Sequence, residues 1–116
     1  MATWHDAEAV GLTFPAVIRA LAHEGSPTLE VRGRQLARRR EDAGRAIIQF
    51  WVSDFGIQES LVQDDPETFW VHHRFATPSA EAWLDRLDAP TLREILVESW
   101  AARAPASLRK AHRDFR

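Results

Sequence analysis

Residues 28–52 contain three runs with the composition of β-strands, separated by two short turn-forming segments. Their sequence is TLEVRGRQLARRREDAGRAIIQFWV, and the strand-like runs cover about 28–32, 35–40 and 45–52. The turn signals are Gly33-Arg34 and Glu41-Asp42-Ala43-Gly44, where glycine allows the chain to reverse. Because strands joined by such short turns pair with their neighbours, this stretch predicts a three-stranded antiparallel meander.

Weaker signals place further elements on both sides of this meander. Pro15 ends the first helix, because proline removes a backbone donor and clashes with the preceding turn. Ser53 or Asp54 can cap a second helix. The additional elements are a helix at about 6–12, a run at 16–22 that fits either a helix or an extended segment, a helix at about 54–64, and strands at about 69–73 and 81–87.

The last long helix has the clearest pattern. Its single face repeats at intervals of three and four residues and is formed by Leu92, Ile95, Leu96, Ser99, Trp100 and Arg103. Asp88 and Pro90 open this helix, Ala104-Pro105 closes it, and a short basic helix is predicted in ASLRKAHRDF. The order α-βββ-α-ββ-α(α) predicts an α+β fold, a two-layer antiparallel sheet of about five strands with helices on one face.

The chain has the size and composition of one globular domain. It has 116 residues, of which 45% are hydrophobic and 28% charged, and no Pro/Gly/Ser-rich linker divides it, so we expect a single domain over residues 1–116. No apolar run approaches the roughly 18 residues of a membrane helix, the start MATWHDAEAV has no signal-peptide pattern, and cysteine is absent. The expected location is the cytoplasm, without a membrane partner.

Charge is segregated along the sequence, although the net charge is only −2. Residues 32–45 hold six arginines against two acids, a net of +4, and residues 103–116 hold five cations against one acid, again +4. Residues 54–100 hold ten acids against three arginines, a net of −7. Arginine supplies fourteen of the fifteen cations, and its planar guanidinium binds phosphate or carboxylate through two hydrogen bonds.

The arginine-rich hairpin is the candidate nucleic-acid-binding surface. In an extended chain Arg34, Arg38 and Arg40 share one face, which would present three arginines to a phosphate backbone. The residues predicted to contact double-stranded DNA are Arg32, Arg34, Arg38, Arg40, Arg45, His72 and Arg74. In the alternative interpretation the arginines lie on a solvated sheet face and pair with nearby acids such as Glu30, Glu41 and Asp42. The sequence pI of about 6.2 favours this alternative, because dedicated nucleic-acid domains are usually basic.

The string FWVHHRF, residues 69–75, is predicted to be a strand and not a metal or catalytic site. One face would carry Phe69, Val71 and His73, and the other Trp70, His72 and Arg74. Neighbouring histidines on opposite faces cannot bind one metal ion. The sequence also has no nucleophile-elbow motif, phosphate-binding glycine loop or dinucleotide fingerprint. It therefore predicts a non-enzymatic protein without a cofactor.

Tryptophan supports a second class of function. Trp100 lies on the apolar face of the last helix and is predicted to be core, whereas Trp51 and Trp83 fit either the core or an exposed sheet face. Exposed tryptophan is typical of interface anchors. The alternative function is therefore a protein-interaction or dimerisation module, with a protein partner or a homodimer on that face. A small ligand between the sheet and the helices also stays open.

Three segments, LEVRGRQLARRRE, LVQDDPETFWVHH and LREILVESWAARAPASLRKAH, in this order and at these separations resemble the MmcQ/YjbR family of small bacterial proteins. The resemblance runs from about residue 6 to residue 112. Its most specific parts are Val31-Arg32-Gly33-Arg34, Asp65-Pro66-Glu67-Thr68-Phe69, and Trp100 followed by Ala104-Pro105 and Leu108. It implies the α-βββ-α-ββ-α arrangement, no catalytic residues, and DNA binding by a double-wing-like fold whose hairpins meet the duplex.

The chain departs from the family pattern at two places. Lysine is common in the family where Arg34 stands, and the two side chains differ in bidentate bonding. Residues 71–75, VHHRF, stand where many members have a Thr-Asp-His-Tyr-like string, and the following loop is longer. Either His72 or His73 can therefore correspond to the family histidine.

Overall fold

The structure, a computed structural model, describes residues 1–71 and 77–115. The elements in chain order are α1 (Trp4–Gly11), β1 (Val17–Leu21), β2 (Pro27–Val31), β3 (Arg34–Asp42), β4 (Arg45–Trp51), α2 (Phe55–Asp64), β5 (Phe69–Trp70), β6 (Ser79–Trp83), a 3-10 turn (Leu84–Arg86), α3 (Ala89–Arg103) and α4 (Ala106–Ala111). Within these residues six strands form one antiparallel sheet in the order β1-β2-β3-β4-β6-β5. The predicted α+β class is confirmed. None of the helices described is long and apolar enough to cross a membrane.

The segment that the sequence left undecided is the edge strand β1. It pairs with β2 along its whole length, from Val17 opposite Val31 to Leu21 opposite Pro27. Its sequence VIRAL mixes β-branched residues with good helix formers, so local propensity cannot settle its conformation. Pairing with β2 settles it instead, and the sheet has one strand more than the five expected.

Two other predicted boundaries differ from those observed. The strand expected at 81–87 ends at Trp83 and continues as the 3-10 turn. The first hairpin reverses at Arg32 and Gly33, whose φ angles are 50° and 80°. Positive φ at both central residues is what a type I′ two-residue turn requires. Of the strand expected at 69–73, β5 contains Phe69–Trp70, and residues 72 and 73 lie outside the described residues.

A β-bulge in β3 separates arginines that simple alternation places on one face. Arg34 pairs with Val31 and Arg38 pairs with Thr28, but the register shifts between these pairs, and Leu36 is the extra residue. Because directly opposite residues share a face, Arg34 lies on the face of Val31, a core residue. Arg38 and Arg40 lie on the opposite face. The prediction that Arg34 shares a face with them is therefore wrong, because a bulge shifts the two-residue period by one.

The helices and the hydrophobic core lie on one face of the sheet. The core cluster combines residues of β2 and β4, such as Val31 and Phe50, with Leu96 and Trp100 of α3. The predicted apolar face of α3 is confirmed, since its five residues from Leu92 to Trp100 are all buried. Apolar residues of α1, α2 and α4 also pack into or against this cluster. We call the other face, which carries Arg38, Arg40 and Trp83, the open face.

The C-terminal half of α3 is fixed to the sheet by polar contacts. The hydroxyl of Ser99 accepts a hydrogen bond from the backbone N–H of Trp51 at 2.9 Å and donates one to the carbonyl of Leu36. The Nε of Arg103 donates to the carbonyl of Gln35 at 2.7 Å. These bonds place the last turn of α3 beside the start of β3, next to the turn that contains Arg32.

Candidate nucleic-acid interface

The hairpin arginines on the open face are paired with carboxylates. Arg38 bonds to Glu24, and Arg40 bonds to Glu81. Arg45 binds both carboxylate oxygens of Asp85, at 2.8 Å from Nε and 2.7 Å from a terminal nitrogen. Acids therefore already bind three of the arginines that were predicted to contact DNA. The alternative interpretation predicted ion pairs of this type.

The pair of Arg45 and Asp85 is ordered further by an aromatic ring. The guanidinium carbon of Arg45 lies 4.0 Å from the ring centroid of Trp83, a cation–π distance. Hydrogen bonds from Arg45 hold the pKa of the Asp85 carboxyl below its ordinary value, and the charges of Arg45 and Arg86 lower it further. The same bonds raise the pKa of Arg45. Arg45 is therefore held by Asp85 on one side and by the indole of Trp83 on another.

We expect the coupling between Arg45 and Asp85 to depend on pH. A carboxyl whose pKa is lowered by folding stabilises the fold above its unfolded pKa of about 3.9, and this contribution is lost as pH falls through the lower folded value. A double-mutant cycle with Arg45→Gln and Asp85→Asn, measured by urea unfolding, should show favourable coupling at pH 7. That coupling should shrink progressively as the pH falls below the unfolded pKa and through the lower folded value. Coupling that stays constant over this range contradicts the assignment.

Glu81 is the centre of a second paired group on the open face. Its side chain is 3% exposed, whereas that of Arg40 is 30% exposed. One carboxylate oxygen accepts from Arg40, and the other accepts from the indole Nε1 of Trp70 at 3.1 Å. Arg40 thus compensates a buried charge, and a phosphate would have to compete with Glu81 for it.

Arg32 and Arg34 differ from the other hairpin arginines. Both are exposed, and neither forms an ion pair within residues 1–71 and 77–115. Arg34 lies on the helix side of the sheet, close enough to Arg103 for its charge to matter. Burial lowers the pKa of Arg103, and the charge of Arg34 lowers it further. The β2–β3 turn and the end of α3 therefore form one positively charged region.

The basic helix α4 is attached to the same end of α3. Arg109 donates to two carbonyls at the end of α3, that of Ala101 at 3.1 Å and that of Ala104 at 3.0 Å. This bonding holds α4 against the last turn of α3. We call the combined surface the cationic end and define it by Arg32, Arg34, Arg103, Arg109, Lys110 and Arg113. None of the six forms an ion pair with any acid that the structure describes.

The remaining predicted positions, His72 and Arg74, lie outside the described residues, as does His73. The predicted face alternation of residues 69–75 stays a prediction for the same reason. In the rest of the chain, no group of three or more His, Asp or Glu side chains is arranged to hold a metal ion.

A solved structure of another protein has a similar fold. It is the crystal structure of the Deinococcus radiodurans protein DR2400, with a DUF419 family-model domain, at a TM-score of 0.77 and 19% sequence identity, covering 96% of this chain and 88% of that chain. DUF419 is the YjbR/MmcQ-like family, which the sequence resembles. At this identity the likeness establishes the fold. No family model matches the sequence, and no curated protein matches it.

Sequence reasoning missed the acids that pair with the hairpin. The expected partners were Glu30, Glu41 and Asp42, and the only one of these in an ion pair among the described residues is Glu41, 3.5 Å from Arg39. The observed partners Glu81 and Asp85 are 41 and 40 residues away from their arginines. They become neighbours only because β6 pairs with β4.

The tryptophans fall into a buried group and a partly exposed group. Trp100 is buried, as predicted. Trp51 is 7% exposed, with the guanidinium of Arg103 4.7 Å from its ring, so it belongs to the packed interior. Trp83 and Trp70 are partly exposed on the open face, with ring centroids 4.9 Å apart. A partner surface on that face would therefore use Trp70 and Trp83, not Trp51.

Proposed function

We propose that this chain is a non-enzymatic member of the MmcQ/YjbR family that binds double-stranded DNA through the cationic end. The observation that carries the proposal is that the start of β3 and α4 are both hydrogen-bonded to the C-terminal end of α3, and that both segments carry cations without an ion pair to any acid that the structure describes. Six cations and one acid, Asp114, give this region +5, whereas the whole chain is −2, so the remainder carries −7. A molecule polarised in this way turns its positive end towards a polyanion as the two approach.

The residue chemistry of the cationic end suits phosphate. Arg32 and Arg34 are exposed and unpaired within the described chain, so their guanidinium groups can each donate two hydrogen bonds to one phosphate. Lys110 adds a flexible charge on α4. Each cation that neutralises a phosphate releases a condensed counterion, which is the main source of sequence-independent affinity. The proposed contact is therefore with the backbone of the duplex and needs no base-specific readout.

This proposal assigns a different role to the open-face arginines. Arg38, Arg40 and Arg45 stabilise the sheet through Glu24, Glu81 and Asp85. If these arginines bound phosphates instead, the three carboxylates would lose their cationic partners. This loss would cost most for Glu81, which is deeply buried. We expect DNA to contact the first turn of the meander and α4, leaving the open face free.

The test compares two charge-matched variants with the parent protein. The triple variant Arg32→Ala, Arg34→Ala, Lys110→Ala removes unpaired cations. The triple variant Arg38→Ala, Arg39→Ala, Arg45→Ala removes the same charge from arginines that are paired. Binding to a short duplex at 50 mM salt should weaken by about ten-fold per lost phosphate contact in the first variant and change little in the second. Equal losses in both variants would show that net charge alone matters and would contradict the proposed surface.

A second candidate function uses the open face. Trp70 and Trp83 lie side by side and partly exposed there, as expected for anchors of a protein interface. The module would then bind a protein or a second copy of the chain. Absence of DNA binding, together with sedimentation showing a dimer that Trp83→Ala dissociates, would favour this function.

A further inference from the structure

A cavity on the open face lies beside Trp70 and Trp83, away from the cationic end. Its volume is about 430 Å³, and its lining includes Glu41, Asp42 and Glu81 together with the two indoles. Glu41 and Asp42 are the last two residues of β3, and β6 supplies Glu81 and Trp83. All of these residues lie within the described chain. The cavity is therefore built where the β3–β4 hairpin stands beside β6 and β5.

Two indole rings supply the apolar wall of this cavity. Their centroids are 4.9 Å apart and their planes are tilted by 50°, so their faces are not stacked flat on each other. Aromatic faces attract cations, and tryptophan attracts them most strongly. Trp83 already holds one guanidinium, that of Arg45, 4.0 Å from its centroid. This internal contact shows that the indole environment accepts a planar cation.

The charges around the cavity select the same class of ligand. The cavity lining contains three acids, Glu41, Asp42 and Glu81, and one cation, Arg40. Glu41 is opposite Ala46, which packs against the core, so its side chain lies on the helix side of the sheet with that of Arg39, 3.5 Å away. Both oxygens of Glu81 are occupied, by Arg40 and by the Nε1 of Trp70. The carboxylate available to a ligand is therefore that of Asp42, which is exposed and forms no ion pair with any residue that the structure describes.

We propose that this cavity binds an organic cation carrying a guanidinium or alkylammonium group. The apolar part of the cation packs against Trp70 and Trp83, and its charge faces Asp42. The lining acids on the open face, Asp42 and Glu81, outnumber Arg40 and disfavour phosphates and carboxylates, and a neutral apolar ligand would leave the exposed Asp42 without a partner. The site is independent of DNA binding, because it shares no residue with the cationic end.

The experiment follows the indole N–H signals in ¹H–¹⁵N NMR spectra of the full chain, with Trp70→Phe and Trp83→Phe used for assignment. The probes are n-butylguanidinium and n-butylurea, which have nearly the same shape and differ in charge. The cation should shift the signals of Trp70 and Trp83 saturably, and at least about ten times more tightly than the urea, equivalent to about 1.4 kcal/mol. Comparable affinity for the urea, or no shift at millimolar cation, overturns the proposal.

A charge-neutralising variant supplies the second readout. Asp42→Asn changes an exposed residue at the end of β3 and leaves the ring positions unchanged, which the spectrum without ligand checks. We expect it to weaken n-butylguanidinium binding about ten-fold while leaving n-butylurea unaffected. Unchanged cation affinity in this variant contradicts the assignment. A blocked Gly-Arg-Gly tripeptide that binds as tightly as the free cation would identify a protein arginine as the source, and a tripeptide that fails where the free cation binds would identify a small molecule.

Discussion

Replacing Trp100 with alanine is expected to lower the free energy of unfolding by about 4 kcal/mol. The side chain is 2% exposed, and its ring lies 4.8 Å from that of Phe115 in an edge-to-face arrangement. Its Nε1 also donates to the carbonyl of Pro15 at 2.9 Å. Truncation removes the largest fully buried side chain and leaves a cavity where α3, the Pro15 turn and the C-terminal segment meet.

Trp100→Phe is the matched control, measured by urea unfolding under the same conditions. It keeps most of the apolar contact and loses the hydrogen bond, so a loss of about 1–2 kcal/mol is expected. If Trp100→Ala costs no more than Trp100→Phe, the ring is not packed as described. The test also concerns the cationic end, because the same contacts hold the C-terminal segment against α3.

Replacing Arg40 with leucine is expected to destabilise the protein by about 3 kcal/mol, because it leaves the buried carboxylate of Glu81 without its cation. The estimate is at the lower end of the range for buried pairs, since Arg40 is 30% exposed. The double variant Arg40→Leu, Glu81→Leu should recover most of this loss, because apolar residues of similar size often replace an ion pair without net cost. Urea unfolding of both single variants and of the double variant measures whether removing one partner of the ion pair costs more than replacing both.

The outcome bears directly on the role of Arg40. If Arg40 contacts DNA, its replacement should change DNA affinity and leave stability nearly unchanged. If Arg40 instead neutralises Glu81, its replacement should lower stability and leave DNA affinity nearly unchanged. A stable Arg40→Leu protein with weakened DNA binding would therefore contradict the structural role argued for Arg40 and return it to the interface predicted from the sequence.

The sequence predicted the parts of the fold that repeat locally. The apolar residues of α3 recur with a helical period, and the glycines at 33 and 44 separate the strands of the meander, so both were visible without tertiary information. The strand β1 could not be predicted in this way, because the sequence VIRAL fits both a helix and a strand. Only pairing with β2 decides between the two conformations. Alternation also failed at Leu36, because a bulge adds one residue without any local signal that distinguishes it.

The candidate site was predictable in composition but not in placement. Clustered arginines indicated a polyanion, and Arg32 and Arg34 remain in the proposed interface. Whether a given arginine is free or paired depends on acids brought beside it by the sheet, such as Glu81 beside Arg40. The start of β3 and α4 are both hydrogen-bonded to the C-terminal end of α3, and no local pattern encodes which segments α3 contacts. The charges could be counted from the sequence, but the sequence does not show which of them are neutralised by a partner in the folded protein.

The salt dependence of binding to a short duplex shows whether the cationic end contacts DNA phosphates. We expect binding at 50 mM salt that weakens by about 100-fold at 200 mM, as calculated for about four phosphate contacts. The Arg32→Ala, Arg34→Ala, Lys110→Ala variant should show a much flatter dependence, because it has lost most of those contacts. No binding at 50 mM, or an affinity that does not change with salt, would contradict the proposal that this chain binds DNA through its cationic end.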